Sequence, residues 1–209
     1  IVRPLIRAAI DSAPDNAEIA VFNFSDIPEV NDVRPSLPFT SNKDDVKEFV
    51  NPADINNPKF PNYYNPKSGN PTCIYDAALG ALQYLSQLNP DERRAVILFT
   101  DGTDERPAPD GSKKTVACSK HPVDNVIQKA TAENGVSTSI YTVGLCPQDL
   151  QKDICPDQQL DTKALTVISD GTHAISRIGS SRDLQGAFVK IMSDIQNQIF
   201  IHAILKPCD

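Results

Sequence analysis

The residues best suited to chemistry stand at the end of one apolar run, Arg94-Ala95-Val96-Ile97-Leu98-Phe99-Thr100-Asp101-Gly102-Thr103-Asp104-Glu105. Apolar residues in succession, without polar alternation, describe a strand covered on both faces, and such strands belong mostly to parallel α/β sheets. Ligands of those sheets bind at the carboxyl ends of the strands, which is where this run delivers Asp101. A carboxylate there can serve catalysis, hold a hard cation, or simply open an Asp-Gly turn. Gly102 lets the backbone turn tightly behind it. The neighbouring acids Asp104, Glu105 and Asp110 lack the spacing of an EF-hand loop and read equally well as a solvated loop. His121, His173 and His202 form no HExxH pair, and no G-x-S-x-G elbow occurs, so the histidines read as ordinary surface or core residues and hydrolytic chemistry finds little support.

The elements that position Asp101 follow from periodicity. Val2, Leu5, Ile6, Ala9 and Ile10 make one apolar helical face over Ile1 to Ala13, and Pro4 sets the start near Arg3. Glu18 to Ser25 reads as a strand; Val33 to Phe39 reads as an edge strand, because Pro35 and Pro38 remove backbone donors. A helix starts near Ser41 and runs to about Val50. Residues 51–71 are dense in Asn and Pro and form a long loop that carries Tyr63 and Tyr64, amphipathic residues that serve interfaces or cap the local core.

Thr72 to Leu88 is the strongest helix, with Thr72 at its N-cap and Ile74, Ala77, Ala78, Ala81, Leu82, Leu85 and Leu88 on one face. After the central strand, a polar loop runs from Thr103 to about His121. Pro122 opens a helix to about Asn134, which Gly135 closes. Val136 to Gly144 is a strand, Cys146 to Cys155 a loop, and Asp161 caps a short helix ending near Ser169-Asp170-Gly171. A strand over Thr172 to Arg177, a helix over about Ser181 to Gln198 and an extended segment, Phe200 to Leu205, complete the chain. Strands alternating with helices specify an α/β fold, a doubly wound and mostly parallel sheet with helices on both faces.

The 209 residues fit one large domain. Basic and acidic residues are interspersed at a formal net charge of −7, so no basic stripe exists to track nucleic acid. No apolar run reaches the length of a membrane span. Five cysteines, none in a CxxC pair, lack the spacing of a zinc site and point to an oxidising, extracellular compartment. The odd number leaves one thiol free or bonded outside the chain, and connectivity is not deducible from sequence.

In this order of elements the chain resembles a von Willebrand factor A (VWA) domain over nearly its whole length. Glu18-Ile19-Ala20-Val21-Phe22-Asn23-Phe24-Ser25-Asp26 is similar to that family's second strand, and Pro71-Thr72-Cys73-Ile74-Tyr75-Asp76-Ala77-Ala78-Leu79 to its threonine-bearing helix start. Val96-Ile97-Leu98-Phe99-Thr100-Asp101-Gly102 resembles its fourth strand and aspartate. Ile140-Tyr141-Thr142-Val143-Gly144 resembles the next strand, and Ile168-Ser169-Asp170-Gly171-Thr172-His173 with the final helix resembles the family's end. The resemblance implies a metal-ion-dependent adhesion site (MIDAS), in which Thr72 and Asp101 would be ligands of Mg²⁺, or of Ca²⁺ or Mn²⁺. An acidic residue of a protein or extracellular-matrix partner would complete the coordination. Hydroxyls and one or two carboxylates suit such a hard cation on independent grounds.

The chain departs from the family's pattern at one point. No DxSxS motif occurs in it, and the central first strand that carries that motif is missing, so the expectation is a single domain, 1–209, incomplete at its N-terminal side. In a divergent alternative, Phe200 to Leu205 fills the place of that strand and no metal binds. Cys73 and Cys118 are expected on the same rim, where a bridge between them would stiffen the metal face. Cys146 and Cys155 bracket a short loop and can pair locally, which leaves Cys208 unpaired or linked to a missing segment. Phe99-Thr100-Asp101-Gly102-Thr103 also has a superficial likeness to the DxDGT motif of haloacid-dehalogenase-like phosphatases, but Phe99 stands where the nucleophile must be. The expected function is non-enzymatic: an adhesion or ligand-binding domain, or else a structural or assembly module of a larger surface or pilus-like protein with a degenerate site.

Overall fold

The computed structural model describes residues 2–22, 24, 30, 33–50, 72–88, 94–112, 114–132, 137–146 and 160–204. The expected loop 51–71 with Tyr63 and Tyr64, the helix terminator Gly135, and Cys155 and Cys208 lie outside them. The order is α1 (Val2–Ser12), β1 (Ile19–Val21), β2 (Leu37–Thr40), α2 (Lys43–Val50), α3 (Ile74–Leu85), β3 (Ala95–Thr100), β4 (Glu105–Pro107), β5 (Thr115–Ala117), α4 (Val123–Ala132), β6 (Ser139–Leu145), α5 (Thr162–Gly171), β7 (Ser176–Gly179) and α6 (Ser181–Ile204).

The fold is a mixed α/β architecture built on a parallel sheet in the order β3-β6-β7. Its register runs Ala95 to Ser139 through Thr100 to Gly144, and Thr142 to Ser176 through Leu145 to Gly179. Strand periodicity divides β6 between two layers. Tyr141, Val143 and Leu145, with Ile97 and Phe99 of β3, pack against α1 and α6 through Ala9, Ala13, Leu184, Phe188 and Ile191. Ile140, with Val96 and Leu98, packs against α3, α4 and α5 through Ile74, Ala78, Leu82, Val126, Ala130, Leu165 and Ile168. Helices therefore cover both faces, as the unbroken apolar strands require. Thr142 points into the second layer at no solvent cost, because its Oγ1 donates to the Leu165 carbonyl at 3.0 Å.

β1 and β2 form a separate antiparallel pair, backed by Val46, Phe49 and Val50 of α2 and by Ile10 of α1. Asn42 caps α2, its Oδ1 accepting from the amides of Asp44 and Asp45. Among the described residues no strand joins this pair to β3-β6-β7. The described part of the segment Phe200 to Leu205 does not bridge them: up to Ile204 it continues α6 as a helix, and Leu205 lies outside the described residues. Its Phe/Ile-rich composition is compatible with strand and helix alike, and the helix simply propagates.

Three further expectations are corrected. Thr72 is not the N-cap of α3; Cys73 occupies that position and makes no side-chain cap bond. The stretch from Thr103 to His121 is not a plain loop, because β4 and β5 pair antiparallel within it. The last strand starts at Ser176 rather than Thr172. The preceding turn ends α5 with His173 at φ 56°, the left-handed conformation that closes many helices, while Gly171 packs against Ile127. Asp161 does cap α5, accepting from the Ala164 amide at 3.1 Å. Among the described residues no helix is long and apolar enough to cross a membrane.

Candidate functional site

The carboxyl end of β3 and the start of α3 meet at one rim of the parallel sheet. Thr100 is buried at the end of β3, and its Oγ1 accepts from the Gly102 amide at 3.2 Å, which folds the chain back and leaves Asp101 exposed at the bend. Thr72 comes to the same place: its amide donates to the Glu105 carbonyl at 3.0 Å. A Cβ on Gly102 would lie 3.7 Å from Thr72 Oγ1. Among the described residues, neither the Thr72 hydroxyl nor the Asp101 carboxylate has a hydrogen-bond or ion-pair partner.

The other two acids of the rim are differently employed. Asp104, nearly buried, accepts from the Ile74 amide and from Ser119 Oγ through Oδ1, both at 2.6 Å, and from the Ser119 amide through Oδ2 at 3.0 Å. It shares the capping of α3 with Ser119, whose Oγ accepts from the Tyr75 and Asp76 amides at 3.0 and 3.1 Å. Asp76, fully buried, accepts from the Lys120 amide at 2.8 Å and the His121 amide at 3.2 Å, and its Oδ1 lies 2.8 Å from His121 Nδ1. His121, half-buried, is held in place by Asp76. The one sequence signal was an acid, Asp76, inside the apolar start of a helix, since a buried carboxylate demands partners. Asp104 gave no local signal.

Cys73 and Cys118 form a disulfide that ties the start of α3 to the end of β5. Cys146 is also disulfide-bonded; of the two cysteines that remain, Cys155 and Cys208, neither is among the described residues. Tyr75 donates its hydroxyl to Asp161 Oδ2 at 2.6 Å and so links α3 to the cap of α5. Burial, reinforced by this bond to a carboxylate, pushes its pKa far up. Between these elements lies a cleft of about 440 Å³, lined by Thr103, Asp104, Glu105, Leu160, Asp161, Thr162 and Lys163.

Thr72 and Asp101 fit a hard divalent cation in chemistry, being oxygen donors free of other bonds, but two ligands are fewer than the six or more such an ion takes. Among the described residues no group of three or more His, Cys, Asp or Glu is placed to hold a metal.

No protein-family model matches the sequence, and no curated protein matches it. Solved structures do match in shape. One is a von Willebrand factor type A protein from Catenulispora acidiphila, with a TM-score of 0.56 and 16% identity over 93% of this chain and 37% of that one. Another is proximal thread matrix protein 1 from the mussel byssus, a structure with a zinc-occupied MIDAS motif, with a TM-score of 0.55 and 17% identity over 93% of this chain and 42% of that one. The chain spans well under half the length of either. Helices on both faces of the parallel sheet, together with the match in shape to these structures over 93% of the chain, give it the fold of a von Willebrand factor A-like domain.

Proposed function

We propose that the chain is a non-enzymatic adhesion or protein-binding domain, which captures an acidic residue of a protein or extracellular-matrix partner through a divalent metal at the sheet rim. Thr72 and Asp101 would hold the ion, and Mg²⁺, Mn²⁺ or Ca²⁺ suits their oxygen donors. The carrying observation is the division of labour among the rim oxygens. Asp76 and Asp104 are consumed by protein hydrogen bonds, whereas Asp101 and the adjacent Thr72 hydroxyl are free among the described residues. The zinc-occupied site of the byssus protein supports a divalent ion at such a rim, and the disulfides support an extracellular setting.

The test is a Mn²⁺ titration of the domain followed by paramagnetic broadening of its amide resonances. Broadening centred on Thr72, Asp101 and Gly102, weakened about tenfold or more by Asp101→Ala, is expected. Broadening centred elsewhere, or unchanged in the variant, overturns the assignment. A second reading, a structural or assembly module with a metal-free rim, is favoured by the small number of ligands that the described residues supply; absence of any localised broadening would select it.

A further inference from the structure

The β4–β5 hairpin serves no core. All six strand residues, Glu105 to Pro107 and Thr115 to Ala117, are exposed, and a lone two-stranded hairpin is marginal in water. What holds it is its base: the Cys73–Cys118 disulfide, the Cys118 amide donating to the Asp104 carbonyl at 3.1 Å, and the Thr72 amide on Glu105. An exposed arm fixed at its base beside Thr72 has its ordering cost met before any partner arrives.

Its two faces differ. Arg106 stands opposite Val116, and Glu105 and Pro107 stand opposite Ala117 and Thr115. Directly opposed residues share a face. Ala108 donates to the Lys114 carbonyl at 3.0 Å, so Lys114 continues the face of Arg106 and Val116. That face carries two cations around one of the few large apolar side chains left exposed among the described residues, Val116 at 38%. Neither cation has a side-chain partner among the described residues, although the chain as a whole has a formal net charge of −7. The tip acid, Asp110, is exposed and accepts from the Ser112 amide at 2.8 Å.

The geometry points to the hairpin as a recognition arm whose Arg106–Val116–Lys114 face docks an extended acidic polypeptide segment of the partner. Two cations flanking an apolar contact match carboxylates that flank an apolar residue on an extended strand; they are too few, on too acidic a chain, for a nucleic-acid backbone. Placing this segment beside the metal-bound carboxylate rests on the function proposed above, while the charge preference of the arm does not.

Fluorescence anisotropy with a labelled short peptide of alternating glutamate and leucine tests the arm, read in Mg²⁺ and in EDTA. Salt-sensitive binding is expected, with about tenfold weaker affinity in Arg106→Glu/Lys114→Glu and a smaller loss in Val116→Ser. The disulfide and circular dichroism of the variants serve as folding controls. No salt-sensitive binding by the unaltered domain, equal binding of a glutamine–leucine peptide, or an unchanged affinity in the charge-reversed variant overturns the arm. Asp101→Ala separates the two ideas. Loss of only the Mg²⁺-dependent part in that variant, with the EDTA-resistant part lost on charge reversal, supports both; an effect of Asp101→Ala alone sinks the arm and leaves the metal site standing, and an effect of charge reversal alone does the opposite.

Discussion

The carboxylate of Asp104 accepts the backbone amide of Ile74 at 2.6 Å across thirty residues of sequence, and so caps a helix that has no side-chain cap of its own. Ile74 is fully buried, so its amide has no water to turn to. Asp104→Ala removes a charged acceptor of three bonds and leaves that amide unsatisfied. A loss of about 3 kcal/mol follows from the cap and the charge-assisted bonds together. Asp104→Asn keeps an acceptor for Ile74 but sets an amide nitrogen against the Ser119 amide, and should lose about half as much. Urea unfolding with unchanged m-value measures both; an alanine variant within about 0.5 kcal/mol of the parent would refute the capping role.

The Cys73–Cys118 disulfide closes a loop whose ends are 45 residues apart. Loop-closure entropy for that span gives about 4 kcal/mol, and measured bridges fall at about 2–4 kcal/mol. Reduction, or the paired change to Ser, should therefore lower the unfolding midpoint without abolishing the parallel sheet, whose core does not include the hairpin. The hairpin itself should lose protection first, because it buries nothing. Amide exchange resolved by residue is the measurement, and hairpin amides as well protected as those of β6 after reduction would contradict it.

Much of the fold was legible where an apolar pattern had one structural solution, which the segment after Gln198 did not. Val96 to Phe99 read as a doubly covered strand and Val136 to Gly144 as a strand, while α3 showed its apolar face and α5 its cap at Asp161. What stayed hidden was non-local or unpatterned. Thr72 is a good capping residue by type, and nothing near it in sequence reveals that Asp104 takes the task. The hairpin lacks apolar alternation because neither of its faces meets a core, so the usual strand signal is absent. Of the rim, Thr72 and Asp101 were visible as chemically apt residues; that Asp76 and Asp104 are used up by the backbone, and His121 held by one of them, needed coordinates.

Tyr75 and Tyr141 make the domain sensitive to alkali. Each is pushed well above the ordinary tyrosine value of 10.0, first by burial and then by its bond to Asp161 or Asp194. A folded-state pKa raised above the unfolded one contributes stability that is complete below pH 10.0 and is lost as pH rises from there towards the folded value. Unfolding free energies should thus fall steeply above that pH. The double variant Tyr75→Phe/Tyr141→Phe should start about 2 kcal/mol lower at neutral pH, from two lost hydrogen bonds, and then fall less steeply. Equal slopes in parent and variant would show that these hydroxyls are not the cause.

Gly80 sits inside α3, where an alanine would ordinarily stabilise by about 1 kcal/mol. Here a Cβ would lie 2.3 Å from Val33 Cβ and 2.9 Å from the Val30 carbonyl oxygen. Neither atom is the free end of a flexible side chain, so relief requires moving the backbone that leads into β2. Overpacking of this kind costs about 1–3 kcal/mol, and it outweighs the helical gain. Gly80→Ala should therefore destabilise the domain by about 1–2 kcal/mol, and Val33→Gly placed beside it, which removes both the Cβ and the Cγ2 that the new methyl would meet at 2.3 Å, should restore part of the loss. A double-mutant cycle on urea midpoints decides the matter: a stabilised Gly80→Ala, or strictly additive effects, would mean that α3 and the segment before β2 are not packed as closely as these distances state.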